Sequence, residues 1–240
     1  MLKTDPLSAL QQAYVQLKGQ FIYGSNYTFL VLCEYKGDTF KAVYKPLHGE
    51  RTLWDFPSGT LAGREVAAYL VSEALGWDLV PPTVYREKDV PLGPGSLQVF
   101  IEHNPEMHYF NFNLEQKAPL PRVMLFDYLI NNADRKAGHL LINPEGKLYL
   151  IDHGLSFHVE DKLRTVVWDY AGEPIPPELC QDLEGFLSEF LPGAELWGRL
   201  EPYLQSDELI AIGRRGRMLL ESGRFPLPPE NRRAYPWPLV

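Results

Sequence analysis

The chain has 240 residues, of which 45% are apolar and 22% are charged, and its formal net charge is -8. This composition is typical of a folded globular protein, and the length fits one large domain or two small lobes that share a cleft. The negative charge argues against a general nucleic-acid-binding protein and against attachment to an anionic membrane by bulk charge.

The cysteines and the start of the chain bear on the cell compartment. Two cysteines occur, Cys33 and Cys180, and nothing in their number or spacing indicates a secreted disulfide scaffold, so we expect reduced thiols. The first residues lack the apolar core of a signal peptide, and the apolar runs are far too short to span a bilayer. We therefore expect a cytoplasmic protein with no stable membrane insertion.

The first half of the chain alternates between strand and helix patterns. Residues 21–45 are rich in β-branched and aromatic side chains around a turn signal, and they predict strands. Residues 46–60 contain Gly, Pro and charged side chains and predict a loop. Apolar residues recur at helical spacing over 61–75, where Gly76 ends the helix, and the apolar run 97–101 predicts a further strand.

The second half is mainly helical, apart from one predicted β-hairpin. Its strands, 140–142 and 147–151, flank a four-residue turn that contains Pro144 and Gly146. The predicted helices lie at 122–130, 177–191, 194–204 and 206–221, and the Pro- and Arg-rich tail 225–240 is expected to be extended or mobile.

This order of elements predicts the fold class and its division. Strands with one helix come first and helices dominate afterwards, which is an α+β arrangement. We expect a β-rich front lobe over about residues 1–104 and a mainly helical rear lobe over about residues 105–240, together forming one domain.

The hairpin carries the residues with the clearest chemical potential. If Pro144 and Glu145 form its tip, His139 and Asp152 meet at its open end, where antiparallel partners lie about 5 Å apart. Asp134 enters the same end from the preceding loop. Two carboxylates and an imidazole could hold Mg²⁺ or Mn²⁺ and orient a hydroxyl group, whereas the alternative is an ordinary polar turn.

Two segments resemble known kinases. The stretches 127–135 and 151–157 are similar to the catalytic and metal-binding segments of type II phosphatidylinositol 4-kinases and, more distantly, of HipA-type kinases. The chain resembles a bacterial family related to phosphatidylinositol 3- and 4-kinases, over about residues 22–170. The resemblance implies a compact two-lobed protein-kinase-like fold that binds ATP with Mg²⁺ or Mn²⁺ between its lobes.

The resemblance also implies roles for individual residues. In the rear lobe, Asp134 would be the catalytic residue that orients or deprotonates the acceptor, and Lys136 would steady the transferred phosphate. Asp152 and His139 would hold the metal. The residues of the front lobe that would contact the nucleotide are Lys45, paired with Glu65, the loop residues Ser25 and Asn26, and the strand residues Gln98, Phe100 and Ile101.

The sequence departs from the kinase pattern at three places. His139 stands five residues after Asp134, where these kinases have an asparagine, and an imidazole ligand predicts a preference for Mn²⁺ over Mg²⁺. The stretch 47–62 has no cysteine, unlike the palmitoylated insertion of type II lipid kinases. The segment after Asp152 is too short for a long activation loop, so regulation by loop phosphorylation is not expected.

The function predicted from the sequence is phosphotransfer from ATP to a hydroxyl acceptor. A protein, a metabolite and a lipid all fit as the acceptor, and no nucleic-acid partner is expected. Three alternatives stay open: an AMP-transferase of the same fold, a nucleotide-binding pseudokinase, and a non-catalytic interaction protein.

Overall fold

The computed structural model of the chain describes residues 4–21, 27–51 and 53–240. Its front part is an antiparallel sheet of five strands in the order β1-β2-β3-β5-β4. The strands are β1 (Tyr14–Gln20), β2 (Phe29–Tyr35), β3 (Asp38–Pro46), β4 (Thr83–Arg86) and β5 (Gly95–Val99). Helix α1 (Pro6–Gln12) precedes the sheet, and helix α2 (Leu61–Ala74) connects β3 to β4.

The remaining part is mainly helical, as predicted. It contains a two-stranded sheet and five helices within the described ranges. In chain order these are α3 (Leu114–Lys117), α4 (Leu120–Ile130), β6 (Leu140–Ile142), β7 (Leu148–Leu150), α5 (Pro177–Glu189), α6 (Glu195–Leu200) and α7 (Ser206–Ser222). The predicted α+β fold class is therefore confirmed.

The N-terminal end differs from the sequence pattern, which indicates no element before residue 21. Helix α1 forms there because Asp5 caps it, accepting a hydrogen bond from the Ser8 N–H at 2.8 Å, and because Pro6 suits the first helical position. Strand β1 has mostly exposed residues and owes its conformation to pairing with β2, which a local pattern does not reveal.

Two large apolar cores underlie the sheet and the helices, and a small third cluster contains Phe56, Leu61 and Ala133. One large core lies between α1 and the sheet, and it includes Leu10, Val31 and Leu97. The other large core fills the helical part, and it also contains the apolar residues of α2, such as Val66 and Val71. Helix α2 thus shares the core of the helical part and also packs against β4 and β5 of the sheet. The lobe boundary near residue 104 stays a prediction.

Two observations concern the expectations about compartment. Cys33 and Cys180 are both free thiols, and Cys33 is buried. Burial raises the pKa of the Cys33 thiol to about 12, so it stays protonated and unreactive at neutral pH. Among the helices in the described ranges, none has the length and apolar character needed to cross a bilayer.

Candidate active site

A cavity of about 320 Å³ lies between the sheet, α2 and the β6–β7 hairpin. Eight of the residues predicted to form the site line it together: Lys45, Glu65, Gln98, Phe100, Ile101, Asp134, His139 and Asp152. Ser25 and Asn26 lie outside the described residues. A second, polar groove of about 610 Å³ lies beside β4 and contains none of the predicted residues, so the chemistry is concentrated in the first cavity.

The centre of the cavity is an ammonium group held between two carboxylates. Lys45, one residue before the end of β3, contacts Glu65 Oε1 of α2 directly, and its Nζ lies 2.9 Å from Asp152 Oδ1. Burial alone would lower the pKa of Lys45, but Asp152 and Glu65 outweigh it and hold the pKa above its ordinary value. Lys45 is therefore charged at neutral pH and available to a phosphate group.

Asp152 is placed by the hairpin and by α2. The pairing of Leu140 with Leu150 continues in a hydrogen bond from the Ile151 N–H to the His139 carbonyl oxygen at 3.1 Å, which brings Asp152 to the open end. The backbone of Asp152 is left-handed, with φ of 62°, a conformation that aspartate tolerates better than most residues. Burial would raise its pKa, but Lys45 and His139 hold it below the ordinary value, so the carboxylate is ionised.

His139 faces Asp152 in a defined orientation. Its Nε2 lies 3.4 Å from Asp152 Oδ2, and its Nδ1 accepts a hydrogen bond from the Lys136 N–H at 3.4 Å. Burial lowers the pKa of His139 to about 4, although Asp152 opposes this, so the ring is neutral. Because Nδ1 accepts, the ring proton is on Nε2 and points at Asp152. A metal bound at Nε2 would require the ring proton to be on Nδ1. Nδ1 could then no longer accept the hydrogen bond from the Lys136 N–H, which is long and therefore weak.

The donor set fits a hard divalent cation. Asp152 is ionised, and its side chain keeps 49% of its surface accessible, so its oxygens are open to the cavity. Within the described part of the chain, no three His, Cys, Asp or Glu side chains form a ready-made metal cluster. Asp152 and His139 could supply one or two ligands to Mg²⁺ or Mn²⁺, and water and substrate phosphates would complete the coordination.

Asp134 and Lys136 form a pair at the edge of the cavity. Lys136 Nζ lies 3.1 Å from Asp134 Oδ2, and the Asp134 N–H donates to Asn132 Oδ1 at 2.9 Å. Burial raises the pKa of Asp134 to about 6, against the opposing charge of Lys136. A carboxylate with a pKa just below neutral is suited to accept a proton at physiological pH.

The three residues predicted to contact the nucleotide base line the same cavity, but only Gln98 lies in a strand, because β5 ends at Val99, before Phe100 and Ile101. The side-chain amide of Gln98 already has a partner in the neighbouring strand β4, because its Nε2 donates to Thr83 Oγ1 at 2.8 Å. Phe100 and Ile101 are partly exposed along the cavity and offer apolar surface. This part of the cavity can therefore receive a flat apolar ring, and its side chains add apolar contact rather than free polar groups.

A buried ion pair lies beneath residues 131–139, called the catalytic loop here for the role proposed below, and it has no counterpart among the predicted site residues. Arg135 and Asp127 of α4 are both completely buried, with Nε 3.0 Å from Asp127 Oδ1. Arg135 Nη1 also donates to the Ile151 carbonyl oxygen at 2.8 Å, and Thr165 Oγ1 donates to Asp127 Oδ2 at 3.0 Å. The pair therefore ties α4 to the loop that carries Asp134 and to the end of β7.

His153 is a second residue whose role the sequence does not reveal. Its side chain is fully buried, neither ring nitrogen has a hydrogen-bond partner, and burial lowers its pKa, so it is neutral. Its ring meets the edge of Phe126, at 5.8 Å between centroids. Its N–H donates to Glu65 Oε2 at 3.0 Å. The backbone of His153 thus fixes Glu65, and its ring Nδ1 lies 3.7 Å from the same carboxylate oxygen, Glu65 Oε2.

The C-terminal tail reaches the catalytic loop from the far side. The Ala137 N–H donates to the Leu239 carbonyl oxygen at 2.8 Å, and the Thr165 N–H donates to the Ala234 carbonyl oxygen at 3.1 Å. Arg232 Nη1 donates to the Leu163 carbonyl oxygen at 2.6 Å. The tail contains no helix or strand, bends at 230–232, 235 and 237–238, and supports the loop between Asp134 and His139.

Comparison with known proteins identifies the family. The sequence pattern described as "Phosphatidylinositol 3- and 4-kinase" matches residues 58–189, which include α2, Asp134, His139 and Asp152. The chain belongs to the phosphatidylinositol 3- and 4-kinase family. This membership confirms the resemblance found in the sequence and shows a kinase-related function.

Relatives of this phosphatidylinositol kinase family protein occur in bacteria and plants. Protein Rv2133c of Mycobacterium tuberculosis is 38% identical, over 99% of this chain and 96% of that protein. Phosphatidylinositol 4-kinase gamma 4 of Oryza sativa is 30% identical, over 59% of this chain. The alignment covers 32% of the plant protein, so the matched part of this chain corresponds to about a third of that kinase.

Solved structures place the fold among the protein kinases. The structure of hydra Fam20 with sugar is similar, with a TM-score of 0.55 at 18% identity. The superposition covers 90% of this chain and 86% of the Fam20 chain. The Golgi casein kinase with Mn and ADP bound has a TM-score of 0.54 at 16% identity, covering 90% of this chain and 74% of that chain. At these identities the similarity establishes the two-lobed kinase-like fold alone.

Proposed function

We propose that this protein is an ATP-dependent phosphotransferase that acts on a hydroxyl acceptor. The observation that carries the proposal is the position of Lys45, held between Glu65 and Asp152 in a cavity that also contains Asp134. These four groups come from β3, α2, the catalytic loop and the hairpin end, so only the complete fold assembles them. An assembled and ionised set favours catalysis over a purely regulatory role.

The residues divide the work between charge neutralisation and positioning. Lys45, oriented by Glu65, would bind the nucleotide phosphates, and the apolar surface of Phe100 and Ile101 would hold the base. Asp152, with His139, would hold a divalent cation, which supplies neutralisation of phosphate charge. Phosphoryl transfer depends mainly on such positioning and charge stabilisation, and these residues provide both.

Asp134 would act on the acceptor itself. Its carboxylate is ionised above a pH of about 6 and can take the proton of a hydroxyl group as that oxygen attacks the terminal phosphate. Lys136, whose Nζ is 3.1 Å from Asp134 Oδ2, would steady the transferred phosphate. The acceptor oxygen forms a bond to the γ-phosphorus of ATP, and the bond from this phosphorus to the bridging oxygen of ADP breaks. The proton of the acceptor hydroxyl passes to Asp134.

Thermal unfolding with nucleotide tests the proposal directly. ATP with Mg²⁺ or Mn²⁺, at about 100 times its dissociation constant, should stabilise the protein by about 2.7 kcal/mol. For a chain of this size we expect the unfolding midpoint to rise by about 5–10 °C. Asp152→Ala should abolish the metal-dependent part of the rise, because the carboxylate that holds the cation is gone.

The matched control for that experiment is Asp78→Ala, which removes an exposed aspartate far from the cavity. Asp78 is 78% exposed, and its nearest cation, Lys147, is 3.8 Å away, so its loss should leave the nucleotide response intact. A wild-type protein whose midpoint does not move with any nucleotide and metal would eliminate the phosphotransferase proposal.

Metal preference tests the role of His139. We expect Mn²⁺ to support phosphotransfer better than Mg²⁺ in the wild type, because an imidazole ligand suits Mn²⁺ better. His139→Asn should lower the ratio of the Mn²⁺ rate to the Mg²⁺ rate, because an amide oxygen is a harder ligand. The measurement is the initial rate of ADP formation at saturating concentration of each metal. An equal ratio in both proteins would mean that His139 only donates a hydrogen bond to Asp152.

A further inference from the structure

Helix α2, which carries Glu65, is joined by ion pairs to two helices of the C-terminal part. Close to its start, Arg64 Nη2 lies 2.5 Å from Glu208 Oε1 of α7, and both side chains are buried. Two turns further along, Glu73 Oε2 lies 2.5 Å from Arg199 Nη2 of α6, in an exposed position. The two pairs meet the helix at separate points along its axis, and the exposed pair contributes little because water screens it.

Further contacts hold the end and the apolar face of α2. Just beyond its last turn, Trp77 Nε1 donates to Asp182 Oδ2 of α5 at 2.7 Å. The apolar side chains of α2 pack in the core of the helical part, and not in the core between α1 and the sheet. Helix α2 is therefore attached to α5, α6 and α7 of the helical part, and it also packs against β4 and β5 of the sheet, whereas Lys45 belongs to β3.

Arg64 is the most enclosed of these attachments. Its side chain is 1% exposed, and it donates from Nη1 to the Ser156 carbonyl oxygen at 2.5 Å and from Nε to Thr60 Oγ1 at 3.3 Å. Its guanidinium lies over the Phe56 ring, 5.1 Å from the centroid. The group thus joins the start of α2 to α7 and to the segment that follows Asp152.

We propose that Arg64 is a positioning residue, which fixes α2 to α7 so that Glu65 stays within ion-pair reach of Lys45 when no nucleotide or partner is bound. Glu65 directly follows Arg64, so the anchor acts at the point where the position of Glu65 is set. Any movement of α2 away from α7 would leave a buried charge without its partner, which is strongly unfavourable. The meaning of this anchor for catalysis rests on the proposed phosphotransferase function.

Hydrogen exchange in the nucleotide-free protein tests the anchor. Arg64→Met removes the charge and keeps an unbranched side chain, and Arg199→Met removes the exposed pair on the same helix as a matched control. Arg64→Met should speed amide exchange within residues 61–74 at least about ten-fold, by local opening of the helix, and leave α4 unchanged. Arg199→Met should change neither. Exchange in α2 that Arg64→Met does not alter would overturn the proposal.

The labelling rate of Lys45 tests whether the anchor acts through Glu65. An amine-reactive acetylating reagent should modify Lys45 slowly in the wild type, where Glu65 and Asp152 hold its ammonium. Both Glu65→Gln and Arg64→Met should raise this rate, and the double variant should react no faster than Glu65→Gln alone, because the two changes remove one interaction. Effects that multiply would show that Arg64 acts on stability only, and would refute a positioning role.

Both readouts omit nucleotide, so they separate the two proposals. A wild-type protein that binds no nucleotide would refute the phosphotransferase function, while exchange and labelling would still decide the role of Arg64. If Arg64→Met does not fold, Glu208→Gln takes its place, because the amide keeps the size of the side chain and removes only its charge.

Discussion

Replacing Asp134 by asparagine should lower the rate of phosphotransfer by about 10²–10⁴-fold, the range expected for loss of a positioned general base. The binding of ATP with metal should persist, because Lys45 and Asp152 are untouched. The same change should stabilise the fold, because burial raises the pKa of Asp134 to about 6 and so makes its ionised form costly at neutral pH. We expect a gain on the order of 2 kcal/mol in the free energy of unfolding at pH 7.5.

The pH dependence of that gain follows from the direction of the pKa shift. Between the ordinary value of 3.8 and about 6, the folded protein binds the proton of Asp134 more tightly than the unfolded chain does. Asp134 therefore destabilises the native state most above a pH of about 6, and the effect disappears as the pH falls below the ordinary value. Urea unfolding of wild type and Asp134→Asn between about pH 4 and pH 8 measures this difference.

The control for Asp134 is Asp78→Asn, which alters an exposed carboxylate and should change neither the rate nor the pH profile of stability. A loss of stability in Asp134→Asn at pH 7.5 would contradict the raised pKa. A phosphotransfer rate within about three-fold of the wild type would remove Asp134 from the role of general base, whose loss costs much more.

Asp127→Ala should destabilise the protein by about 3–5 kcal/mol, because it leaves Arg135 buried without its charge partner. Both side chains are completely buried, and Asp127 also receives hydrogen bonds from Thr165 and Asn132. A loss of this size is a large fraction of the stability of an ordinary domain. Equilibrium unfolding in urea measures it, with circular dichroism as the probe.

The matched control is Glu102→Ala, which removes one member of an exposed pair. Lys41 Nζ lies 2.7 Å from Glu102 Oε1, a distance shorter than that of the buried pair, yet 50% and 64% of the two side chains are exposed. We expect a change of no more than about 1 kcal/mol, because water screens such pairs. Equal losses in Asp127→Ala and Glu102→Ala would show that burial does not decide the strength of these pairs.

The elements with a local signal were predictable from the sequence. Helix α2 begins at the predicted Leu61, and the hairpin places His139 and Asp152 at its open end, as its spacing requires. A helix period and a turn signal are local properties, and so is the order of the motifs along the chain. For this reason the cavity contains the predicted Lys45, Glu65 and Asp134.

The supporting contacts were not predictable, because their partners are distant in sequence. Arg64 and Glu208 are 144 residues apart, and each alone is an ordinary charged residue of a helix. Arg135 stands in a segment that resembles kinases, but its complete burial depends on Asp127 and on the end of β7. Charged residues are almost never fully buried unless they are paired. Burial of such a residue therefore depends on its partner, and the sequence around one residue does not predict it.

The contact between the tail and the catalytic loop has a consequence for biosynthesis. The Ala137 N–H obtains its acceptor from Leu239, about 100 residues later in the chain. At ordinary elongation rates of about 5–20 residues per second, a ribosome needs roughly 5–20 s to make that stretch. During this interval the loop that carries Asp134 and Lys136 lacks the hydrogen bond from the Ala137 N–H to the Leu239 carbonyl oxygen. The Ala137 N–H therefore gains this acceptor only after Leu239 has been translated.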